Sequence, residues 1–160
     1  MVTIEKKSLK VGKFVDTKHV DTVIRTYKQE RWMQNSERIG KEDSLSAWYS
    51  VEELEEFLAV AKKHGGDGVR IYFAAYPENF AEVPLYAGRQ TLVMVGTKSK
   101  ETENGPLHKD IYIAKGDKTE ILAYNMASLC PPLCKPMGSV AFEQIGLAIV
   151  DNGDEGLTVI

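Results

Sequence analysis

The chain is short of the residues that most often carry chemistry. It has two cysteines and three histidines in 160 residues. Two cysteines are too few for a disulfide-built secreted scaffold, so a reducing, cytoplasmic setting is expected. No unbroken apolar run approaches what a membrane helix needs, which leaves out a membrane partner. Met1 to Lys10 alternates apolar and charged residues without an apolar centre and is not expected to act as a secretory signal. A net positive charge is also lacking. The formal net charge is −3 and the pI about 5.7, whereas nucleic-acid binders need a basic surface for phosphates. The sequence has no G-x-S-x-G, no glycine loop closing in G-K-[ST], no H-E-x-x-H and no dinucleotide fingerprint. Gly65-Gly66-Asp67-Gly68 precedes a strand pattern rather than opening a helix, so it reads as a helix stop. No cofactor and no metal set is implied.

What is present belongs to an ordinary folded protein. Hydrophobic residues make up 43% and charged residues 27%, enough apolar material for one domain spanning 1–160. The charge is uneven. Residues 1–41 hold ten Lys/Arg against five Asp/Glu, while the remainder holds ten against eighteen. This basic N-terminal arm is expected to fold back on the acidic body, or else to dock an acidic partner.

The strongest local pattern spans 45–76. Leu45, Ala47 and Tyr49 alternate with Ser46, Trp48 and Ser50, as in a short strand. Ser50 and Glu53 make a capping box for a helix whose acidic start and basic end both complement the helix dipole. Val51, Leu54, Phe57, Leu58 and Ala61 form its apolar stripe. Gly65 or Gly66 suits the left-handed stop. In the strand that follows, Val69, Ile71, Phe73 and Ala75 lie on one face and Arg70, Tyr72, Ala74 and Tyr76 on the other. If the two strands share a sheet, they pair in parallel through a right-handed crossover.

Upstream, Asp16 or Thr17 can cap a helix striped by Val20, Val23, Ile24 and Tyr27, which ends at Ile39-Gly40. Trp32 lies off that stripe, so the helix bends there or Trp32 packs elsewhere. Downstream, Thr91 to Val95 reads as a strand antiparallel to its predecessor. The polar, turn-rich 97–109 segment reads as a mobile loop. Asp110–Ala114 and Thr119–Tyr124 read as two strands joined at Lys115-Gly116-Asp117-Lys118. The stretch 125–138 is irregular, and 139–150 fits helix or strand. The sum is an α+β domain with a mixed, mainly antiparallel sheet and helices packed mostly on one face.

Two places could carry chemistry. Arg70, Tyr72 and Tyr76 share a strand face, and Arg89 precedes the neighbouring strand. Such a set can hold a carboxylate or phosphate, or anchor a protein interface. It can equally cover a half-exposed sheet. The second place is Cys130-Pro131-Pro132-Leu133-Cys134. Its spacing is one residue longer than a thioredoxin-type motif, and a zinc site would need more ligands than two cysteines and His108 provide. The pair is either two small apolar residues packing a proline loop or a thiol or metal site, with Cys130 a conceivable nucleophile. His19 and His64 read as helix-end residues.

Trp48-Tyr49-Ser50, Gly68 to Tyr76, Arg89 to Thr97 and Leu129 to Cys134 together resemble a family of small uncharacterised bacterial proteins. Those proteins carry G-V-R-[IL]-Y-F-x-x-Y, R-x-T-L-V-x-V-x-T and L-C-P-P-x-C segments. The family has no assigned activity, so the resemblance implies relatives and no role. The expectation is a non-enzymatic binding module for a protein or small anionic ligand, with a cysteine-dependent enzyme as the alternative. Exposed strand edges also allow a homodimer.

Overall fold

The computed structural model describes residues 10–134, 149–151 and 157–159. By its contacts the chain divides into two compact units, Met1–Gln29 with Val140–Ile160, and Glu30–Ser139. The stretch 1–41, read as one basic arm, is split between them.

Helix α1 (Thr17–Tyr27) starts at Asp16, whose carboxylate accepts from the His19 amide at 2.8 Å, satisfying a free donor of the first turn. The chain continues through a π-helical turn, Lys28–Trp32, into α2 (Met33–Ile39). That turn is where the apolar stripe loses its period. It swings Trp32 into a buried position, where the indole donates to the Asp43 carbonyl at 2.7 Å. Gly40, at φ 72°, ends α2.

Next come β1 (Ser46–Trp48), α3 (Val51–Lys63) and β2 (Gly68–Ala75). The capping box forms: Glu53 N–H donates to Ser50 Oγ at 3.1 Å, and Ser50 N–H donates to Glu53 Oε2 at 2.9 Å. Gly65 takes the left-handed stop at φ 80°. A 3-10 turn, Pro84–Tyr86, leads into the long β3 (Gln90–Thr102). It is followed by β4 (Gly105–Asp110), β5 (Tyr112–Lys115), β6 (Lys118–Ile121), β7 (Ala123–Tyr124) and β8 (Ser128–Cys130). The other unit contains the antiparallel strands β9 (Ile149–Asp151) and β10 (Leu157–Val159), with α1 against β9. The expected strand over 147–150 lies partly outside the described residues.

The α+β architecture with helices packed beside antiparallel sheets is as expected, but the parallel crossover is not there. β1 pairs with β8 and β2 with β3, each antiparallel, and every strand pairing among the described residues is antiparallel. β1 is too short to specify a partner by itself. Cys130 captures it, its carbonyl taking the Leu45 amide at 2.8 Å.

The 97–109 segment is also corrected. It is no loop but the end of β3 folded onto β4, with Thr97 opposite Asp110 and Thr102 opposite Gly105. Thr102 Oγ1 lies 2.6 Å from the Gly105 carbonyl, and Gly105 sits at φ 108°. The signal was Asn104-Gly105, a hairpin-favouring pair, hidden by the polarity around it.

Two apolar clusters support unit 30–139. In one, Phe57 and Ala61 of α3 meet Met94, Ile111 and Leu122. In the other, Tyr76, Tyr86, Ala127 and Leu129 pack together, Tyr76 stacking on Phe80 with ring centroids 4.4 Å apart. Each fully buried aromatic or leucine side chain contributes about 1.5–3 kcal/mol. The first cluster closes at Gly96. Its amide donates to Leu122, its carbonyl accepts from Ile111, and a Cβ there would lie 3.1 Å from Leu122 Cδ2.

The expected α3 stripe is narrower than its spacing suggests, with Val51 72% and Leu58 43% exposed. The faces of β2 also depart from expectation. Val69 packs on the core, yet Ile71 is 52% and Phe73 84% exposed, while Tyr76 on the supposed outer face is buried. Helix α3 reaches only part of the sheet, so alternation along β2 does not decide burial along its whole length.

Candidate functional site

β2, β3 and β4 lie side by side, and cross-strand partners share a face. Arg70 and Tyr72 of β2 project on the face that also carries Thr97, Ser99, His108 and Asp110. Arg70 Nη1 donates to Asp110 Oδ1 at 2.6 Å and Nη2 to the His108 carbonyl at 2.7 Å. Tyr72 Oη donates to Asp110 Oδ2 at 2.5 Å. The phenol and carboxylate beside it raise the basicity of Arg70, the phenol contributing most. Both carboxylate oxygens are therefore engaged, and the guanidinium is spent on a partner within the fold.

Next to them, Ser99 Oγ stands 2.8 Å from His108 Nδ1 and 3.1 Å from Asp67 Oδ1, and Asp67 also accepts the Ser99 amide at 3.0 Å. A serine nucleophile passes its proton to an imidazole oriented by a carboxylate on the far ring nitrogen. Here the carboxylate lies on the serine instead. The trio fastens the ribbon to the entrance of β2 and lacks the geometry of a triad.

Arg89 and Tyr76 do not join Arg70 and Tyr72. Arg89 is buried, donating from Nε to the Leu85 carbonyl at 2.8 Å and from Nη1 to the Glu42 carbonyl. Burial lowers its basicity, against the opposing pull of Asp43 and Glu42. Asp43 Oδ1 takes the Gln90 amide at 2.6 Å and the Ser44 amide at 2.8 Å, tying 42–44 to the start of β3. Tyr76 Oη donates to Asn125 Oδ1 at 2.8 Å, and Asn125 Nδ2 donates to the Leu92 carbonyl at 2.7 Å. Both are struts. Their guanidinium and hydroxyl groups meet needs inside the fold that spacing in the sequence does not reveal.

Cys130 and Cys134 are joined by a disulfide. They are neither separate packing residues nor free thiolates, and in this state neither sulfur can serve as a nucleophile or a thiolate ligand. Among the described residues no group of His, Cys, Asp and Glu could hold a metal ion, and no helix is long and apolar enough to cross a membrane.

The reverse face of the β3–β4 ribbon carries a feature that no sequence motif marks. Lys98 stands directly opposite Lys109, and Lys100 follows Lys98 on the same face. Together with His64, Tyr112 and Asp110 they line a cleft of 410 Å³. None of the three lysines has an ion pair among the described residues. Like charges directly opposite each other destabilise a ladder. Lys98 has partial compensation, since its Nζ lies near Gly65 at the negative end of α3. The acid in the lining, Asp110, is held by Arg70 and Tyr72. The lysine alternation is legible in the sequence; the alignment of Lys98 with Lys109 depends on the hairpin that stands where a loop is expected.

Comparison with protein-family models, with curated proteins and with solved structures finds no match.

Proposed function

We propose that this protein is a non-enzymatic binding module for a small anionic ligand, held in the lysine cleft of the β3–β4 ribbon. One observation carries the reading: Lys98, Lys100 and Lys109 converge on a cleft in a chain whose net charge is −3. A fold that sets two ammonium groups opposite each other accepts a cost that an anion between them removes. Each ammonium–anion contact is worth about 1 kcal/mol in bulk water and about 4 kcal/mol near a protein surface. Three such contacts support binding in roughly the micromolar to millimolar range. The Arg/Tyr face is the poorer site, because Arg70 is already neutralised by Asp110.

Isothermal titration calorimetry with inorganic pyrophosphate and with citrate tests this. Binding is expected with at least one of them at low salt, weakening steeply from about 20 to about 300 mM salt as screening sets in. It is expected to be lost in Lys98→Gln/Lys109→Gln. No heat with either anion, or an unchanged affinity in the double variant, overturns the reading.

A second reading, a redox-responsive thiol pair, has one observation behind it: Cys130 and Cys134 are joined. A cytoplasmic setting, which the cysteine count favours, would make that bond a cycled one, because cytosolic disulfides are mostly transient. Alkylation and intact-mass measurement before and after reduction tests it. Two thiols that stay open to alkylation after mild oxidation of the isolated protein, or a bond that a cytosolic thiol reductant does not open, would end it.

A further inference from the structure

We infer that two copies of this chain pair edge to edge along β2, joining their sheets across a two-fold axis at Tyr72. The inference is independent of the lysine cleft and rests on different residues.

β2 is the outer strand of its sheet. Among the described residues it pairs only with β3, through eight successive residues from Gly68 to Ala75 with no interruption. Among the described residues no strand pairs with its other edge, which presents backbone donors and acceptors. Such edges are normally blunted by lysine, proline, a bulge or a covering segment. β2 contains neither lysine nor proline, its pairing has no bulge, and three of its large side chains, Ile71, Tyr72 and Phe73, stay open to solvent. Phe73 is 84% exposed, Ile71 52% and Tyr72 41%. Three neighbouring large side chains left in water on an open edge are unusual in a monomer.

The occupant that fits is a second β2. Opposed residues in an antiparallel ladder lie on the same face, so a symmetric pairing must be centred on a residue. Centred on Tyr72, it sets Ile71 of each copy against Phe73 of the other, and Tyr72 against its own counterpart. Centred on Ile71, it sets Phe73 against Val69, which is already used by its own core. The Tyr72 register is therefore the one that covers the two exposed apolar side chains with each other. Charge agrees with it. Arg70 is the only charged residue in β2 and falls opposite Ala74 of the other copy. Each Arg70 is neutralised by Asp110 of its own chain, so the two copies bring no unbalanced charge to the joint. A two-fold contact of this kind is isologous and closes at a dimer.

Sedimentation over a range of concentrations tests the contact, with Phe73→Lys and Tyr72→Cys as variants. The wild-type chain is expected to dimerise as concentration rises. Phe73→Lys, at a side chain that supports nothing within its own copy, is expected to weaken the dimer at least about tenfold with an unchanged circular dichroism spectrum. Tyr72→Cys is expected to form an intermolecular disulfide under mild oxidation, because the symmetric pair brings Cβ atoms within about 5.5 Å. Ala75→Cys, displaced from its counterpart in this register, is expected not to cross-link. A chain that stays monomeric at all concentrations, a dimer indifferent to Phe73→Lys, or cross-linking at position 75 in place of 72 overturns the inference.

Discussion

Arg70 and Asp110, forty residues apart in the chain, meet at 2.6 Å on the face of the central sheet. The contact turns an arginine that the sequence offers as an anion ligand into a brace between β2 and β4. Tyr72 completes it from the second carboxylate oxygen. The pair is partly open to water, so it fixes geometry more than it adds stability. Arg70→Ala is expected to lower the melting temperature slightly, and Asp110→Asn to do the same. The double variant is expected to lose no more than either single one, since the two side chains act through one contact. Thermal unfolding of the three variants reads this coupling, and full additivity would show that the brace is not a unit.

Lys109→Gln separates stability from binding. Removing one of two opposed ammonium groups is expected to raise stability by about 0.2–1 kcal/mol while weakening pyrophosphate binding. Urea unfolding and calorimetry on the same preparation check both signs. A variant that loses stability would mean that Lys109 is held by a contact within the chain.

Glu53 gives the fold an acid sensitivity. The Ser50 amide, then the Tyr124 and Ser50 hydroxyls, hold its carboxyl below the usual carboxylate range. The folded value is the lower one, so the contribution is fully present above the unfolded pKa. It is lost as pH falls through the folded value. Glu53→Gln is expected to flatten the acid limb of the stability–pH curve. Ser50→Ala, which removes the other half of the capping box, is expected to cost about 1 kcal/mol at neutral pH. Melting curves from pH 7 down to about pH 3 check both, and an unchanged acid limb in Glu53→Gln would count against the assignment.

Gly96→Val tests the first core cluster. The new side chain meets Leu122 Cδ2 at 3.1 Å and Ala61 Cβ at 3.4 Å, and overpacking of this kind costs about 1–3 kcal/mol. Chemical denaturation reads it. A neutral result would mean that α3 and Leu122 can draw apart without loss.

Tyr124 and Glu53 show how little of such a site a sequence discloses. Their hydroxyl–carboxylate contact, 2.9 Å long, raises the Tyr124 pKa and ties β7 to the first turn of α3, yet no motif announces it. Arg89 is the opposite case. It looked available and is spent inside the fold, its donors taken by the Leu85 and Glu42 carbonyls. Lys98 and Lys109 lie in a segment expected to be a mobile loop, and folding sets them opposite each other. Local spacing reports which residue types are present. It does not report which of them the chain uses on itself.

The pieces with local causes are legible in the amino-acid order alone: the Asp16 and Ser50 caps, the glycine stop after α3, the tight turn at Gly116, and the displacement of Trp32 from its helix stripe. Each follows from backbone groups satisfied within a few residues of one another. Which strands pair, which end of β2 is buried, and where charges of one sign gather were settled by folding. Those outcomes depend on contacts between segments far apart in the chain, where burial and hydrogen bonding are shared among several candidates and small differences between large free energies choose the partner.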